Sequence, residues 1–339
     1  MDSLTHLAIG AAIGEATLGR RVGRRASLWG AVVAIVPDLD GLVGLLFHPT
    51  RQLFIHRGFS HSIFFALLLS PLLGMAIARW NRNQRIAWYH WSVLVLLVIS
   101  SHIILDFFNT YGTGILYPIS NHRFGYDSMA IIDILLLIPL IAALFTLFLN
   151  TSSTKIRRLV AFGAIAYTFL YIGFSIINKN HIERVAIAEL SDREIEYDRL
   201  RTAPLPLTNF LWLVLAEDSS GYHVGYLSNF DSGGIEFRYL PRREYLLDTL
   251  IDNHYVSELI RFTEGFYTIS NQDVNNEGVW LYDLRYGSLA FAEWEDWYVF
   301  SFLLKYDEEG VMVSRTHPDR SFNYNNTVNY FRRVFSQAG

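Results

Sequence analysis

Long apolar runs fill the first half of the chain and are scarce in the second. They fall at about 4–19, 28–47, 62–79, 91–108, 130–149 and 159–177. A helix that crosses a bilayer needs about 20 predominantly apolar residues. The runs at 62–79, 130–149 and 159–177 fit that length best. The run at 91–108 fits but contains His102 and Asp106, and the first run is short and contains His6 and Glu15. The second is broken by Pro-Asp-Leu-Asp-Gly at 37–41, where Pro37 removes a backbone donor and bends a helix. The pattern predicts an α-helical polytopic membrane domain over residues 1–178, with four to six spans. The range in that count comes from the first two runs. Gly10 and Gly14 form a small-xxx-small pair in the first run, the spacing of a close helix contact.

From residue 179 the pattern changes. Residues 179–208 read as a charged amphipathic connector with a linker-like end. Residues 209–339 read as a small soluble α+β domain. Strand patterns occur at 210–216, 222–228, 235–240, 266–270, 278–284, 296–304 and 310–314, and a helical pattern occurs at 242–262. Trp280, Trp294 and Trp297 read as core residues. The acidic run Glu293, Glu295 and Asp296 reads as a solvated turn. His223, His254 and His317 lack ligand spacing and read as structural, as do His48 and His90.

Composition narrows the function classes. The chain has 339 residues, is 51% hydrophobic and carries a net charge of −4, so no basic excess points to nucleic acid. There is no cysteine, which removes disulfides and Cys-ligated zinc. The opening residues lack the basic start and small-residue cleavage site of a secretory signal, so they are expected to remain in the mature protein. Basic residues cluster at 20–25, at 79–85 and at 155–158. These are alternate loops, and cytoplasmic loops are the basic ones. The loops at 48–61 and 109–129, and everything after the sixth run, are therefore expected outside the cytoplasm.

That topology brings the ionisable residues to one membrane level. His6, Asp38, Asp40, His56, His61, His102 and Asp106 all fall near the outer boundary, with Asp127 and Asp133 close by. His102 and Asp106 are four residues apart, on one helical face. An unpaired carboxylate at a helix centre costs about 2.5–3.5 kcal/mol on insertion scales. A divalent cation offsets that cost and gives each carboxylate and imidazole a partner. A His/Asp set without cysteine suits zinc, and also manganese or iron. Asp38, Asp40, His61, His102 and Asp106 are the expected ligands of one or two ions, with His6 and His56 next in line. In His-Arg-Gly-Phe-Ser-His-Ser, residues 56–62, the two histidines are five apart and point about 140° from each other on a regular helix. Either Gly58 turns the chain so that both reach one ion, or His61 binds metal while His56 works as an acid or base or as a ligand of a second centre; the second arrangement is expected. Arg57 reads as an anion-binding or carboxylate-orienting residue.

Four motifs, Met-Asp-Ser-Leu-Thr-His at the start, Pro-Asp-Leu-Asp at 37–40, the heptapeptide at 56–62 and His-Ile-Ile-Leu-Asp-Phe-Phe-Asn-Thr-Tyr-Gly-Thr at 102–113, occur in this order. In them the chain resembles the bacterial YdjM-like family, whose members are described as predicted membrane-bound, metal-dependent hydrolases. A looser similarity is to zinc-dependent enzymes of the phospholipase C type. The first resemblance covers roughly residues 1–140 and carries over to His6, Asp38, Asp40, His56, His61, His102 and Asp106. It implies a membrane-bound, metal-dependent hydrolase of the bacterial inner membrane, and the site's place at the outer membrane–water boundary makes a lipid or lipid-linked substrate the economical expectation. Two other classes remain open: a metal-ion or proton transporter, and a sensor whose outer domain binds a ligand.

Overall fold

The computed structural model describes residues 1–149, 153–247, 250–271, 278–288, 298–307, 310–314 and 324–335. The chain divides into two compact units. One comprises Met1–Leu46 and Phe54–Ile176, the other Phe47–Leu53 and Ile177–Gly339.

The first unit is helical. Its helices are α1 (Ser3–Val22), α2 (Arg24–Ile35), the short α3 (Asp40–Gly44), the end of α4 (Pro49–Ile55), α5 (Ile63–Trp80), α6 (Trp88–Phe107), α7 (Ile134–Phe148) and the first part of α8 (Thr154–Asp192). Among the described residues, four segments are long and apolar enough to cross a membrane: Arg24–Gly44, Ile63–Trp80, Trp88–Phe107 and Thr154–Asp192. The run at 130–149 yields the shorter apolar helix Ile134–Phe148. Its N-cap, Asp133, accepts a hydrogen bond from Leu135 N, so the helix begins only after the polar residues. α1 is a full 20-residue helix, capped by Asp2 through Thr5 N. Its buried Glu15 and terminal Arg20 and Arg21 keep it less apolar than the four spans. Pro71 and Pro139 sit inside α5 and α7, where neighbouring helices can take up a freed carbonyl.

α1 and α2 pack with their backbones in close approach. A Cβ at Gly14 would stand 2.1 Å from the carbonyl oxygen of Ala26, and one at Gly10 would stand 2.4 Å from that of Gly30. Only small residues allow this approach, which brings the N-terminal end of α1 beside the bend that follows α2. The bend is a 3-10 turn, Pro37–Leu39.

The second unit is α+β. One antiparallel sheet has the order β1 (Arg199–Pro204), β2 (Leu211–Glu217), β3 (Gly221–Ser228), β4 (Phe237–Pro241). The other has the order β5 (Tyr267–Ser270), β6 (Gly278–Asp283), β7 (Ser301–Asp307), β8 (Gly310–Ser314). α9 (His254–Phe262) lies between them in sequence and α10 (Tyr324–Phe335) follows. Leu211, Leu213 and Leu215 of β2 and Tyr222 of β3 are buried, with Trp280 packed partly against them.

Three elements differ from the sequence reading. The stretch that reads as a connector holds the end of α8 and all of β1, whose Arg199 pairs with Glu217 and whose Arg201 pairs with Glu264. Those charges mask a strand whose other positions, Thr202 and Ala203, are buried. The helix expected over 242–262 shortens to α9, preceded by a 3-10 turn at Glu244–Leu247. Its start is set by Asn253, which caps Tyr255 N. α10 has no counterpart in the hydropathy pattern. Trp294, Trp297, Glu293, Glu295, Asp296 and His317 lie outside the described residues.

Candidate metal centre

Three elements converge in the first unit. The bend after α2 supplies Asp38, the 3-10 turn Phe59–His61 supplies His61, and the last turn of α6 supplies His102 and Asp106. One ligand atom from each of these four lies within 4.8 Å of the others. His61 Nε2 is 3.1 Å from His102 Nε2, 3.2 Å from Asp106 Oδ2 and 3.6 Å from Asp38 Oδ1. His102 Nε2 is 3.4 Å from Asp106 Oδ2 and 3.5 Å from Asp38 Oδ1. Ligands at about 2.0–2.1 Å from a tetrahedral ion stand about 3.3 Å apart, so the five separations match the edges of such a site.

The tautomers can be argued from the partners. His102 Nδ1 lies 2.8 Å from the carbonyl oxygen of Ala34, which can only accept, so Nδ1 carries the proton and a neutral ring has a bare Nε2. Ser60 Oγ donates to Asp40 Oδ2, which leaves the hydroxyl oxygen free to accept from His61 Nδ1, 2.9 Å away. The neutral His61 ring therefore also presents a bare Nε2 to the centre. Two lone pairs and two carboxylate oxygens facing one point repel unless a positive charge stands among them. Burial disfavours charge on His61, yet Asp106, Asp38 and Asp40 outweigh it and raise its pKa, so without a cation the centre draws a proton onto this ring, and with one the ring is neutral. Asp106 Oδ2 is buried without a hydrogen bond. This donor set fits a divalent cation.

The neighbours of the four hold them in place. Asp106 Oδ1 meets Arg57 Nη2 at 3.2 Å and His6 Nε2 at 3.3 Å, and the amino group of Met1 also contacts it. His6 stacks on His102, with ring centroids 3.6 Å apart, and neither of its buried ring nitrogens makes a hydrogen bond. Asp40 lies behind His61, with Oδ2 3.3 Å from Nδ1. The same carboxylate takes the Arg57 backbone N–H at 2.9 Å and stands 2.8 Å from His56 Nδ1. His56 is partly exposed at the rim, whereas Arg57 is buried.

The eight residues singled out in the sequence thus separate into layers. Asp38, His61, His102 and Asp106 face the centre. His6 flanks Asp106 and His102. Asp40 bridges His56 and His61, and Arg57 orients Asp106 rather than facing outward. Asp127 and Asp133 stand apart from the four; Asp133 instead accepts from Tyr171 Oη at 2.6 Å.

Asn109 is an addition to the residues read from the sequence. It is fully buried, accepts from Arg57 Nη1 at 3.2 Å and from Tyr111 N at 3.0 Å, and donates to the Met129 carbonyl. Asn109 lies past the end of α6, in an isolated bridge with Met129, so helical spacing does not single it out in the sequence.

The turn between His56 and His61 has an evident cause. Arg57 adopts φ +59°, in the left-handed region. A Cβ at Gly58 would stand 2.7 Å from the Phe54 carbonyl oxygen and 3.0 Å from that of Ile55. Gly58→Ala is therefore expected to shift this turn, at a cost of roughly 1–3 kcal/mol. Thermal unfolding in detergent with metal analysis checks this; wild-type values for both would contradict it.

The chain is similar to known proteins. The inner membrane protein YbcI of Escherichia coli (strain K12) is 35% identical over 124 residues, 36% of this chain and 69% of that protein. The uncharacterized protein YfhP of Bacillus subtilis (strain 168) is 31% identical over 129 residues, 35% of this chain and 38% of that protein's length. No solved structure matches. The description of the YdjM inner membrane protein family matches residues 1–182, and the chain belongs to that family.

Proposed function

We propose that this protein is a metal-dependent hydrolase acting at the outer membrane–water boundary on a lipid or lipid-linked ester or phosphodiester. The observation that carries the reading is the pair of bare Nε2 atoms of His61 and His102, 3.1 Å apart between two carboxylates. Asp38, His61, His102 and Asp106 hold the ion, zinc first and manganese or iron as the other candidates. His6, whose Nε2 stands 3.3 Å from Asp106 Oδ1 at the edge of the four, is the residue available to a second ion. A divalent ion so held supplies Lewis acidity and lowers the pKa of water at the site.

The chain's own residues do the rest. Asp40 orients His61 through Nδ1, as outer carboxylates orient ligating histidines. It also fixes Nδ1 of His56, which leaves His56 Nε2 to take and return a proton at the rim. Arg57 and Asn109 keep Asp106 in register. The test is turnover of phospholipid and lipid-ester substrates by purified protein, with and without chelator. Turnover unaffected by chelation, or absent with every divalent ion supplied, overturns the reading.

A transporter needs polar residues through both leaflets. Deeper in α1, Glu15 is closed off by Arg157 Nε at 3.2 Å and Ser27 Oγ at 3.0 Å. Between it and His6 lie buried Ala8, Ile9, Ala11 and Ala12. That apolar stretch favours a one-sided site. The three basic loops support an outward-facing C-terminal unit. A periplasmically active reporter joined after Gly339 is expected to give signal, and a cytoplasmically active one is not; the reverse would move the site to the inner face.

A further inference from the structure

α8 is a single helix of 39 residues, and its apolar part ends at Ile177. Phe169, Leu170 and Ile177 are exposed on it, as lipid-facing residues are. The next residue, Asn178, is buried and belongs to the second unit. Its Nδ2 donates to the Asn209 carbonyl oxygen at 2.6 Å and to Asn229 Oδ1 at 3.2 Å, and Asn229 Nδ2 returns a bond to Asn178 Oδ1. Each of these two asparagines precedes a phenylalanine. The rings of Phe210 and Phe230 lie 5.3 Å apart between centroids, and Phe230 lies 5.5 Å from Phe335, the last residue of α10. Ser228 Oγ donates to the Val334 carbonyl at 2.6 Å and Arg333 pairs with Asp231 at 2.8 Å, which fixes this end of α10 to the end of β3. Phe230 is nevertheless 48% exposed and Phe335 63% exposed.

We propose that Phe210, Phe230 and Phe335 form an aromatic foot that rests in the lipid headgroup boundary of the leaflet from which α8 emerges. Three observations select lipid as the partner. First, the level is fixed by contact. The asparagine bonds tie Phe210 and Phe230 to Asn178, one residue past the end of the apolar part of α8, so the foot is continuous with a lipid-facing surface. Second, the same two strands differ at their ends. β2 and β3 carry the phenylalanines at the Asn178 end and the polar turn of Asp218, Ser219 and Ser220 at the other, about 20 Å away at 3.3 Å per residue. A body standing on a membrane needs that polarity, with apolar rings sunk at the headgroup level and polar residues in water. Third, the area suits lipid better than protein. The exposed parts of Phe230 and Phe335 come to roughly 200 Å², well below the ~800 Å² per partner of a stable protein interface. A lone exposed phenylalanine needs no explanation, but three in ring contact at this level do.

The chain has no cysteine, so single introduced cysteines can carry a fluorophore. The test places full-length Phe230→Cys, Phe335→Cys and Ser219→Cys, each labelled, in nanodiscs of phosphatidylethanolamine and phosphatidylglycerol with one chain per disc, which removes a second copy as a cover. Ser219 is exposed in the far turn and serves as the reference. Lipid brominated near the headgroup end of its acyl chains is expected to quench the probes at 230 and 335 several-fold more than the probe at 219. Aqueous iodide is expected to show the reverse order. Adding Phe335→Asp to labelled Phe230→Cys should cut lipid quenching at 230 several-fold. Because the Phe335 ring is exposed, the unfolding temperature in detergent should stay where it was. Probes at 230 and 335 that iodide reaches as readily as the one at 219 put the foot in water and overturn the proposal. Shielding from both quenchers means that protein covers the patch, and overturns it as well.

Discussion

Replacing Asp106 by alanine is expected to strip the protein of metal. Purified wild-type protein should hold about one or two divalent ions per chain, as a closed His/Asp set does, and the variant almost none. Asp106 presents Oδ2 to both imidazoles, and no other carboxylate among the described residues is placed to replace it. Losing an outer-shell partner costs roughly 10–100-fold in metal affinity, so losing a ligand costs more. The variant has a second defect. Arg57 is buried against Asp106, and a buried charge robbed of its partner costs about 3–5 kcal/mol. Metal loss in Asp106→Ala could then reflect a loosened fold, and Asp38→Ala separates the two effects. Asp38 is 16% exposed and its contacts with the two histidines are the ones a metal would replace. Asp38→Ala should lose metal yet keep near-wild-type unfolding in chelator. Added zinc should stabilise the wild type by about 2.7 kcal/mol at a hundredfold excess over its dissociation constant, read as a rise in unfolding temperature, and leave both variants unmoved. Wild-type metal content in both variants would sink the site.

Much of this site is legible in the chain because membranes make polar residues conspicuous. A carboxylate in a span stands out against its neighbours, and the i, i+4 spacing of His102 and Asp106 is enough to put them on one face. The division of labour between Asp38 and Asp40 was also within reach. Residues two apart on a helix do not face each other, so the two could not both point at one ion. The 3-10 turn at Pro37–Leu39 keeps that opposition, with Asp38 toward the ion position and Asp40 behind His61. What the chain did not disclose depends on tertiary packing. Arg57 reads as either an anion-binding or a carboxylate-orienting residue, and only packing decides between the two. Its left-handed backbone folds the side chain inward to Asp106 and Asn109, the carboxylate-orienting placement. β1 was hidden for a similar reason: Arg199 and Arg201 give it the composition of a linker, and only in the fold do they meet Glu217 and Glu264 while the strand pairs with β2. Length and periodicity sufficed for the α+β character of the second unit and for three of the four spans; Arg24–Gly44 stayed open because Pro37–Gly41 breaks its run, and the run at 130–149 forms only the shorter Ile134–Phe148.

The two histidines of the 56–62 heptapeptide should fail in different ways. The chain does turn at Gly58, yet the turn does not bring both rings to one ion. It places them on either side of Asp40, with His61 inward and fully buried and His56 at the rim, one third exposed. His61→Ala removes a donor from the centre, so metal content and turnover should fall together. His56→Ala leaves all four metal-facing residues untouched, so metal content should stay near wild type while turnover drops by roughly 10²–10⁴-fold, the range for a lost general acid–base. Asp40→Asn tests the link between them. Its carboxylate orients both rings, so metal affinity should weaken by roughly 10–100-fold, as for other outer-shell carboxylates, and turnover should fall further than occupancy alone explains. The readout is metal per chain beside turnover at saturating metal for the three variants. If His56→Ala loses metal as fully as His61→Ala, both rings ligate and the rim residue is not the proton carrier. If His56→Ala keeps full turnover, the acid–base role belongs to another group, and Asp40 holds His61 alone.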